Sequence, residues 1–587
     1  MKPTASQSSR FFAFLPVLLV LLGASATPVL RAQDGTNLDA AAAVVTPAET
    51  PAQRDARLAW WREAKFGLFI HWGTYAAYAG EYKDKKDYGE WVMNNAKIPV
   101  AEYRAHAVNF NPVHYDPVAW VRAAKAAGMR YIVITAKHHE GFALYPSDVT
   151  DWDIADATPY QKDLLGPLVA AARAEGLKIG FYYSQAQDWV HVGGAKSRHP
   201  EGDGWDDAHK GDTDAYLRAI AIPQTRELLT RYQPDILWWD TPIFMTKERV
   251  APLAALLALR PGIITNNRLG AGFPGDTSTP EQFVPVTGYP GDWETCMTIG
   301  RHWGYNATDT NNKSGAELIR KLISIVSMGG NFLLNVGPTA AGVIPQGQLD
   351  RLAEVGAWLG KNGDAIYGTT RGPFNSLSWG RATRRGNRLY LHVFDWPADG
   401  KLRVPLLSRA TAATLLHSPA APLALHPEAG RLVIDVPATA ADPVASVIVL
   451  DLAEPPVVPP LISRAATVTA SAEQPSQPAV DANDGTGAKR WRAPADVKSA
   501  WLEFTLPTPA LVQAFGADEP DVWPRLKQRY TLAAEVDGQW RELAAGATDG
   551  HGVAGRFAPV TASRFRITME CEKGQPGLAE FQLYQPE

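Results

Sequence analysis

Between Phe66 and about Ile366, short and mostly apolar runs alternate with stretches of helical spacing, and this rhythm constrains the fold more than any other feature. The runs are Phe66 to Trp72, Tyr131 to Ala136, Lys178 to Ser184, Ile236 to Asp240, Gly262 to Asn267 and Asn331 to Val336. They do not alternate apolar with polar, so each is expected to be a strand buried on both faces, as parallel strands flanked by helices are. Between them, Asp116 to Ala127 spaces Val118, Val121, Ala124 and Ala127 three residues apart. Leu164 to Glu175 and Gln348 to Lys361 read as helices too, the last stopping near Asn362-Gly363. This alternation predicts an irregular (β/α)8 barrel over residues 55–370. A doubly wound sheet is the alternative, but no glycine-rich dinucleotide loop supports it.

After Gly372 the pattern changes. Arg388 to Phe394, Leu432 to Val436 and Ala445 to Leu452 read as short strands with no helix between them, which predicts an antiparallel β-sandwich over 371–453. Glu454-Pro455-Pro456 and Pro459-Pro460 mark a stiff linker over 454–463. From residue 464 to 587 the chain is again all strand, through Trp501 to Leu506, Arg529 to Glu535 and Arg564 to Thr568. A chain of 587 residues is long enough for this multidomain plan.

At the N-terminus Lys2 and Arg10 precede the apolar run Phe11 to Leu22, and small residues follow. This is the form of a secretory signal peptide over 1–32, cut after Ala26 or Ala32, with an Ala-, Thr- and Pro-rich leader over 33–54. The run is short for a membrane span, so the chain is expected to be exported: periplasmic or extracellular, or in a lysosome-like lumen in a eukaryotic cell. Its two cysteines, Cys296 and Cys571, lie too far apart in sequence for a local disulfide and form no zinc motif. With 57 Lys plus Arg against 61 Asp plus Glu, the net charge of -4 offers no general field for nucleic acid. The 19 Trp, 19 Tyr and 19 Phe make carbohydrate a partner worth testing, since flat rings cover the apolar faces of sugars.

Active sites of such barrels form at the C-terminal ends of the strands. There the sequence places His71 and Trp72, then His138, His139 and Glu140, then Tyr183, then Asp240 after Trp238 and Trp239, and Arg268. An Asp following an Ile-Leu-Trp-Trp run is costly to bury unless paired or hydrogen-bonded. Alone it reads equally well as a helix cap; beside two His and a Tyr it reads as part of a site. With no nucleotide or metal motif, the set points to glycoside hydrolysis, which needs two carboxyl groups flanking one bond. Candidates for the second are Glu90, Glu281 and Glu294. Glu281 lies in the turn-rich stretch Gly275 to Gln282, expected to be an exposed loop; Glu294 could equally pair with an arginine. Adjacent His on a strand point to opposite faces, so no metal is expected and the pair is assigned to sugar hydroxyls.

Several motifs then look like one family. They include Lys65-Phe66-Gly67-Leu68-Phe69-Ile70-His71-Trp72-Gly73, Ala136-Lys137-His138-His139-Glu140-Gly141-Phe142, Tyr182-Tyr183-Ser184, Trp238-Trp239-Asp240 and Thr279-Pro280-Glu281. Trp293-Glu294-Thr295-Cys296, Trp303-Gly304-Tyr305 and the Gly330 to Pro338 stretch continue the same order. Together they resemble glycoside hydrolase family 29, the α-L-fucosidases, over about residues 55 to 370. The resemblance implies a retaining exo-hydrolase that removes terminal α-L-fucose from oligosaccharides or glycoproteins. It implies Asp240 as nucleophile, Glu281 as acid/base with Glu294 as the alternative, and a sugar pocket of His71, Glu90, Trp91, His138, His139, Tyr183, Trp238, Arg268 and Trp303. Tyr182 is the alternative to Tyr183. A catalytically weak fucose-binding protein and an α-L-galactosidase-like glycosidase are the rival readings.

The C-terminal stretch has its own likeness. Ala479-Val480-Asp481, Trp491-Arg492-Ala493, Trp501-Leu502-Glu503-Phe504 and Arg564-Phe565-Arg566-Ile567 resemble a discoidin-type (coagulation factor 5/8 C-terminal) jelly roll. That likeness implies a carbohydrate-binding module over 464–587, some relatives of which hold a structural calcium; no other cofactor is expected. Trp491 and Trp501 are read as core or loop anchors. Self-association into a homo-oligomer is left open.

Overall fold

A computed structural model describes residues 49–196, 204–520, 525–548 and 550–587. The expected signal peptide and most of the leader lie outside the described residues. The end of the leader is ordered: Thr50 accepts the N–H of Gln53 and starts a helix over Pro51–Ala64, with proline in its first turn.

Seven parallel strands make one curled sheet. They are β1 (Phe66–Ile70), β2 (Tyr131–Lys137), β3 (Lys178–Ser184), β4 (Ile236–Asp240), β5 (Ile264–Thr265), β6 (Glu294–Thr298) and β7 (Asn331–Val336), in the order β5-β4-β3-β2-β1-β7-β6. Nearly every strand residue is buried, because helices such as Pro117–Ala126, Gly315–Ser327 and Gln346–Asn362 cover the outer face. Strand β6 was not among the apolar runs. Its sequence, Glu-Thr-Cys-Met-Thr, is polar by composition yet wholly buried, so hydropathy gives no sign of it.

The edges β5 and β6 do not pair with each other. An extended segment runs between them instead. Asp276 and Thr277 donate to the carbonyl of Thr265 at 2.6 and 3.3 Å, Glu294 donates to Ser278 at 2.9 Å, and Gln282 donates to Cys296 at 2.9 Å. Residues 276–282 thus act as an irregular eighth stave. The exposed, turn-rich loop expected around Glu281 is therefore corrected to a strand-like segment, its turn formers absorbed by single bridges to both neighbours.

The next unit pairs a six-stranded antiparallel sheet, which includes Arg388–Val393 and Ser446–Leu452, with a three-stranded one through Arg431–Asp435. Their facing residues, among them Leu389, Leu391, Ile434 and Ile448, form one apolar core. The C-terminal unit is also antiparallel, built on the long strands Ser499–Asp518 and Gly552–Cys571. Trp491 is buried in its core, while Trp501 is partly covered by the Arg566 guanidinium, 4.5 Å from the ring.

This last unit is docked on the others. The Asp518 carboxylate accepts the N–H groups of Val286 and Thr287, both at 2.8 Å, and the Thr287 hydroxyl. Glu587 accepts from Ser378 and Arg556, and Arg431 donates to its carbonyl at 2.6 Å. The proline-rich linker packs on the sandwich as well, with Leu407 donating to Val457 at 2.8 Å.

Candidate active site

A cavity of about 560 Å³ opens at the C-terminal ends of β1 to β4. Strand alternation decides what faces it. On β4, Trp238 and Asp240 point inward and Trp239 outward. Tyr182 is the cross-strand partner of Trp238, so it points inward as well; Tyr183 pairs with Trp239 and points away. The Tyr183 hydroxyl is buried and donates to Gln224 at 2.9 Å. The pocket tyrosine is therefore Tyr182, and the choice of Tyr183 is corrected: a one-residue step on a strand changes faces.

Asp240 sits in a dense set of donors. The Tyr182 hydroxyl donates to Oδ2 at 2.7 Å, and Arg268 Nη1 donates to Oδ1 at 3.1 Å. His139 Nε2 lies 3.7 Å from Oδ2. Burial alone would raise the Asp240 pKa, but the Arg268 charge and the Tyr182 hydrogen bond outweigh it and hold the carboxyl below its usual range. The residue is a carboxylate at neutral pH.

Arg268 reaches the second carboxyl group too. Its Nη2 lies 2.9 Å from Oε2 of Glu281, so one guanidinium spans Asp240 and Glu281. Nε donates to Thr279 Oγ1 at 2.7 Å and Nη2 to the Thr279 carbonyl at 2.9 Å, which fixes the fork. Residues 276–282 carry both Thr279 and Glu281, so the stave that closes the sheet also brings the carboxyl group to the site. Glu294 lies beneath instead. It accepts from Tyr131 and, at 3.2 Å, from Trp238 Nε1, and burial pushes its carboxyl up to about 7. It supports the Trp238 ring and does not line the cavity.

The three histidines are hydrogen-bond groups. His71 Nδ1 lies 2.7 Å from the Asn335 amide oxygen, and the Asn335 amide nitrogen donates to the Trp303 carbonyl at 2.8 Å. An amide oxygen only accepts, so Nδ1 carries the proton and Nε2 is left as an acceptor. Burial holds the His71 pKa down at about 4, which keeps the ring neutral. His139 is oriented in the same way by Ser184, at 2.8 Å, whose own proton goes to the Gln187 carbonyl. His138 Nδ1 is buried with no hydrogen-bond partner among the described residues.

Both His138 and His139 line the cavity, their rings 4.0 Å apart. The expected opposite orientation is corrected, because the pair follows the end of β2, where the chain turns at Gly141. Glu140 faces elsewhere: it accepts the N–H groups of Thr74 and Tyr75 at 2.9 and 3.1 Å, capping the helical turn Thr74–Tyr78.

The walls are aromatic. Tyr182 stacks on Trp238 with ring centres 5.6 Å apart, Trp303 lies 4.9 Å from His71, and Trp91 meets His139 edge-on at 5.1 Å. Glu90 accepts the N–H groups of Trp303 and Gly304 at 3.1 and 2.9 Å, which holds the Trp303 loop over the cavity. Sequence reasoning missed Phe69, Asn267, Thr279, Cys296 and Arg525 in the lining. Phe69 was accessible in principle, two residues before His71 on one strand; Arg525, from the C-terminal unit, carried no signal.

The chain matches the model of the Alpha-L-fucosidase family over residues 35–364. It belongs to the α-L-fucosidase family. It is a glycoside hydrolase of family 29. Tissue alpha-L-fucosidase of Bos taurus is 31% identical over 388 residues, 61% of this chain and 80% of that protein. Alpha-L-fucosidase isoenzyme 1 from Paenibacillus thiaminolyticus is 39% identical in sequence; its structure superposes with a TM-score of 0.62 over 68% of this chain and 100% of its own. A family 29 α-L-fucosidase from Bacteroides thetaiotaomicron, trapped as a covalent intermediate with 2-fluoro-fucosyl fluoride, is 30% identical with a TM-score of 0.61, over 68% of this chain and 96% of its own.

Proposed function

We propose that this family member is a retaining, exo-acting α-L-fucosidase that releases terminal α-L-fucose from oligosaccharides or glycoproteins. The observation that carries the reading is the Arg268 fork between Asp240 and Glu281 in a pocket large enough to hold a terminal sugar. The covalent intermediate trapped in the Bacteroides relative supports retention. In the first step an oxygen of Asp240 attacks the anomeric carbon while Glu281 gives its proton to the departing glycosidic oxygen. A fucosyl ester of Asp240 and a free alcohol result. In the second, Glu281 takes a proton from water, the water oxygen attacks the same carbon, and the ester bond returns its electrons to Asp240.

His71 and His138 offer nitrogen atoms to the sugar hydroxyls, and Phe69, Trp238 and Trp303 supply apolar surface for the ring and its C6 methyl. Arg268 and Tyr182 keep the nucleophile ionised until attack. The pattern of residues 1–32 supports export from the cytoplasm, and no helix among the described residues is long and apolar enough to cross a membrane. The deciding experiment is hydrolysis of an aryl α-L-fucoside by wild type and Asp240→Gly, with azide added to the variant. We expect loss of about 10³-fold or more in kcat and partial rescue as the inverted glycosyl azide. Undiminished turnover in the variant would remove Asp240 from the mechanism.

A further inference from the structure

Arg525 lines two cavities at once. On one side it borders the catalytic pocket, where its Nη2 donates to the Glu281 carbonyl at 2.9 Å. On the other it opens onto a cleft of about 990 Å³ in the C-terminal unit. Among the described residues six cations line that cleft, Arg492, Lys498, Arg525, Lys527, Arg529 and Lys573, against two carboxylates, Glu570 and Glu572. Among the described residues one ion pair neutralises part of this set, Arg529 with Glu570 at 3.1 Å, and both partners are well exposed. Arg492 Nε is buried with no hydrogen-bond partner among the described residues. The chain as a whole is slightly acidic at -4, so the excess of positive charge is local. Like charges gathered on a concave wall repel one another and focus a field into the cleft.

The position names the ligand. With Glu281 as the acid that protonates the glycosidic oxygen, what lies beyond it is the part of the substrate that leaves. Arg525 stands at that edge, and the cationic cleft begins there. We propose that the cleft is a leaving-group subsite for anionic glycans, binding sulfate or carboxylate groups on the sugar chain from which fucose is removed. This deepens the fucosidase reading and rests on it. Guanidinium forks grip such oxyanions bidentately, and exposed lysines add charge at longer range. The C-terminal unit then acts as part of the substrate site rather than as a remote tether.

The test uses the full chain and fucosylated oligosaccharides of one backbone: neutral, sulfated, or carboxylated on the leaving portion. At 25 mM NaCl we expect kcat/KM for either acidic substrate to exceed that for the neutral one by about fivefold or more, falling towards parity at 500 mM NaCl as screening tightens. Lys527 and Lys573 are exposed, so the double variant Lys527→Ser/Lys573→Ser removes charge without opening the core, and it should cut the acidic-to-neutral ratio. Equal rates on all three substrates, or a ratio unchanged in the variant, would overturn the proposal.

Calorimetric titration with the sulfated and unsulfated backbones lacking fucose separates the cleft from catalysis. Binding of the sulfated form alone, weakened in the double variant, supports the cleft even if aryl fucoside is not turned over and the fucosidase reading fails. Binding of neither form, or single-stranded DNA displacing the sulfated chain at equal concentration, would sink it.

Discussion

The Tyr182 hydroxyl donates to Oδ2 of Asp240 at 2.7 Å, from the neighbouring strand and in register with Trp238 rather than with Asp240 itself. The bond stabilises the ionised carboxyl, and a hydrogen bond to a charged group contributes about 1.5–3 kcal/mol. Tyr182→Phe removes it while leaving the ring stacked on Trp238. We expect kcat/KM on an aryl fucoside to fall roughly tenfold or more, within what that energy allows. The acid limb of the pH profile should move to higher pH, because the charged form of Asp240 loses a partner. Tyr183→Phe should leave that limb in place, since its hydroxyl serves Gln224. A shifted limb in Tyr183→Phe alone would reverse the assignment.

Arg268 carries a different test, because charge and shape can be separated there. Arg268→Lys keeps a cation but cannot span Asp240, Glu281 and Thr279 together. Loss of the fork lets both carboxyl groups drift, so kcat should fall about 10²-fold with a smaller change in KM. Steady-state kinetics against pH measure both. Near-wild-type kcat would mean that the positive charge alone suffices.

The two candidate acids are told apart by leaving groups and by stability. Glu281→Ala should slow unactivated oligosaccharides far more than aryl fucosides, whose leaving groups need no proton. Glu294→Gln should retain turnover within a few-fold, since the amide can still accept from Trp238 and meet the Tyr131 oxygen. Burial raises the folded-state pKa of Glu294 from 4.5 to about 7, opposed in part by the hydrogen bonds from Tyr131 and Trp238. Between those values the folded protein holds a proton that the unfolded chain has released, so this group lowers stability as pH rises through the window. Glu294→Gln does not titrate. Melting curves from pH 5 to 7.5 should therefore fall less for the variant than for wild type. Identical slopes would place the titration elsewhere.

The parallel strands could be read from sequence because burial on both faces leaves a mostly apolar run without alternation, as in Tyr131–Lys137 and Asn331–Val336. The same property hides their facing. A run such as Ile-Leu-Trp-Trp-Asp shows no alternation, so nothing in it says which Trp points inward until one residue is anchored. With Asp240 taken as inward, Trp238 follows by alternation, but Tyr182 follows only from register with β3. The stave at 276–282 was hidden for a second reason. Single bridges to two edges hold it, so glycine, proline and serine survive there and imitate a loop. Arg525 lies 244 residues from Glu281, and only the docking of a separate unit joins them.

That docking makes Asp518 the last residue to test. Its carboxylate is buried at the barrel interface and takes three hydrogen bonds from Val286 and Thr287, just beyond the stave that carries Glu281. In Asp518→Ala the N–H groups of Val286, part-buried, and Thr287, buried, lose their acceptor, at a cost of up to about 1–3 kcal/mol for each donor left unsatisfied. The segment can regain partners only by moving out to water, which loosens Glu281 relative to Asp240. We expect the Val286 and Thr287 amides to exchange hydrogen at least about tenfold faster, the factor that 1.4 kcal/mol represents. The kcat for oligosaccharides should fall with them, whereas aryl fucosides, which need little help from the acid, should be cleaved at nearly the wild-type rate. Hydrogen exchange read by mass spectrometry, paired with kinetics on both substrate types, gives the answer. Faster exchange without loss of oligosaccharide turnover would show that the clamp serves stability and not the placement of the acid.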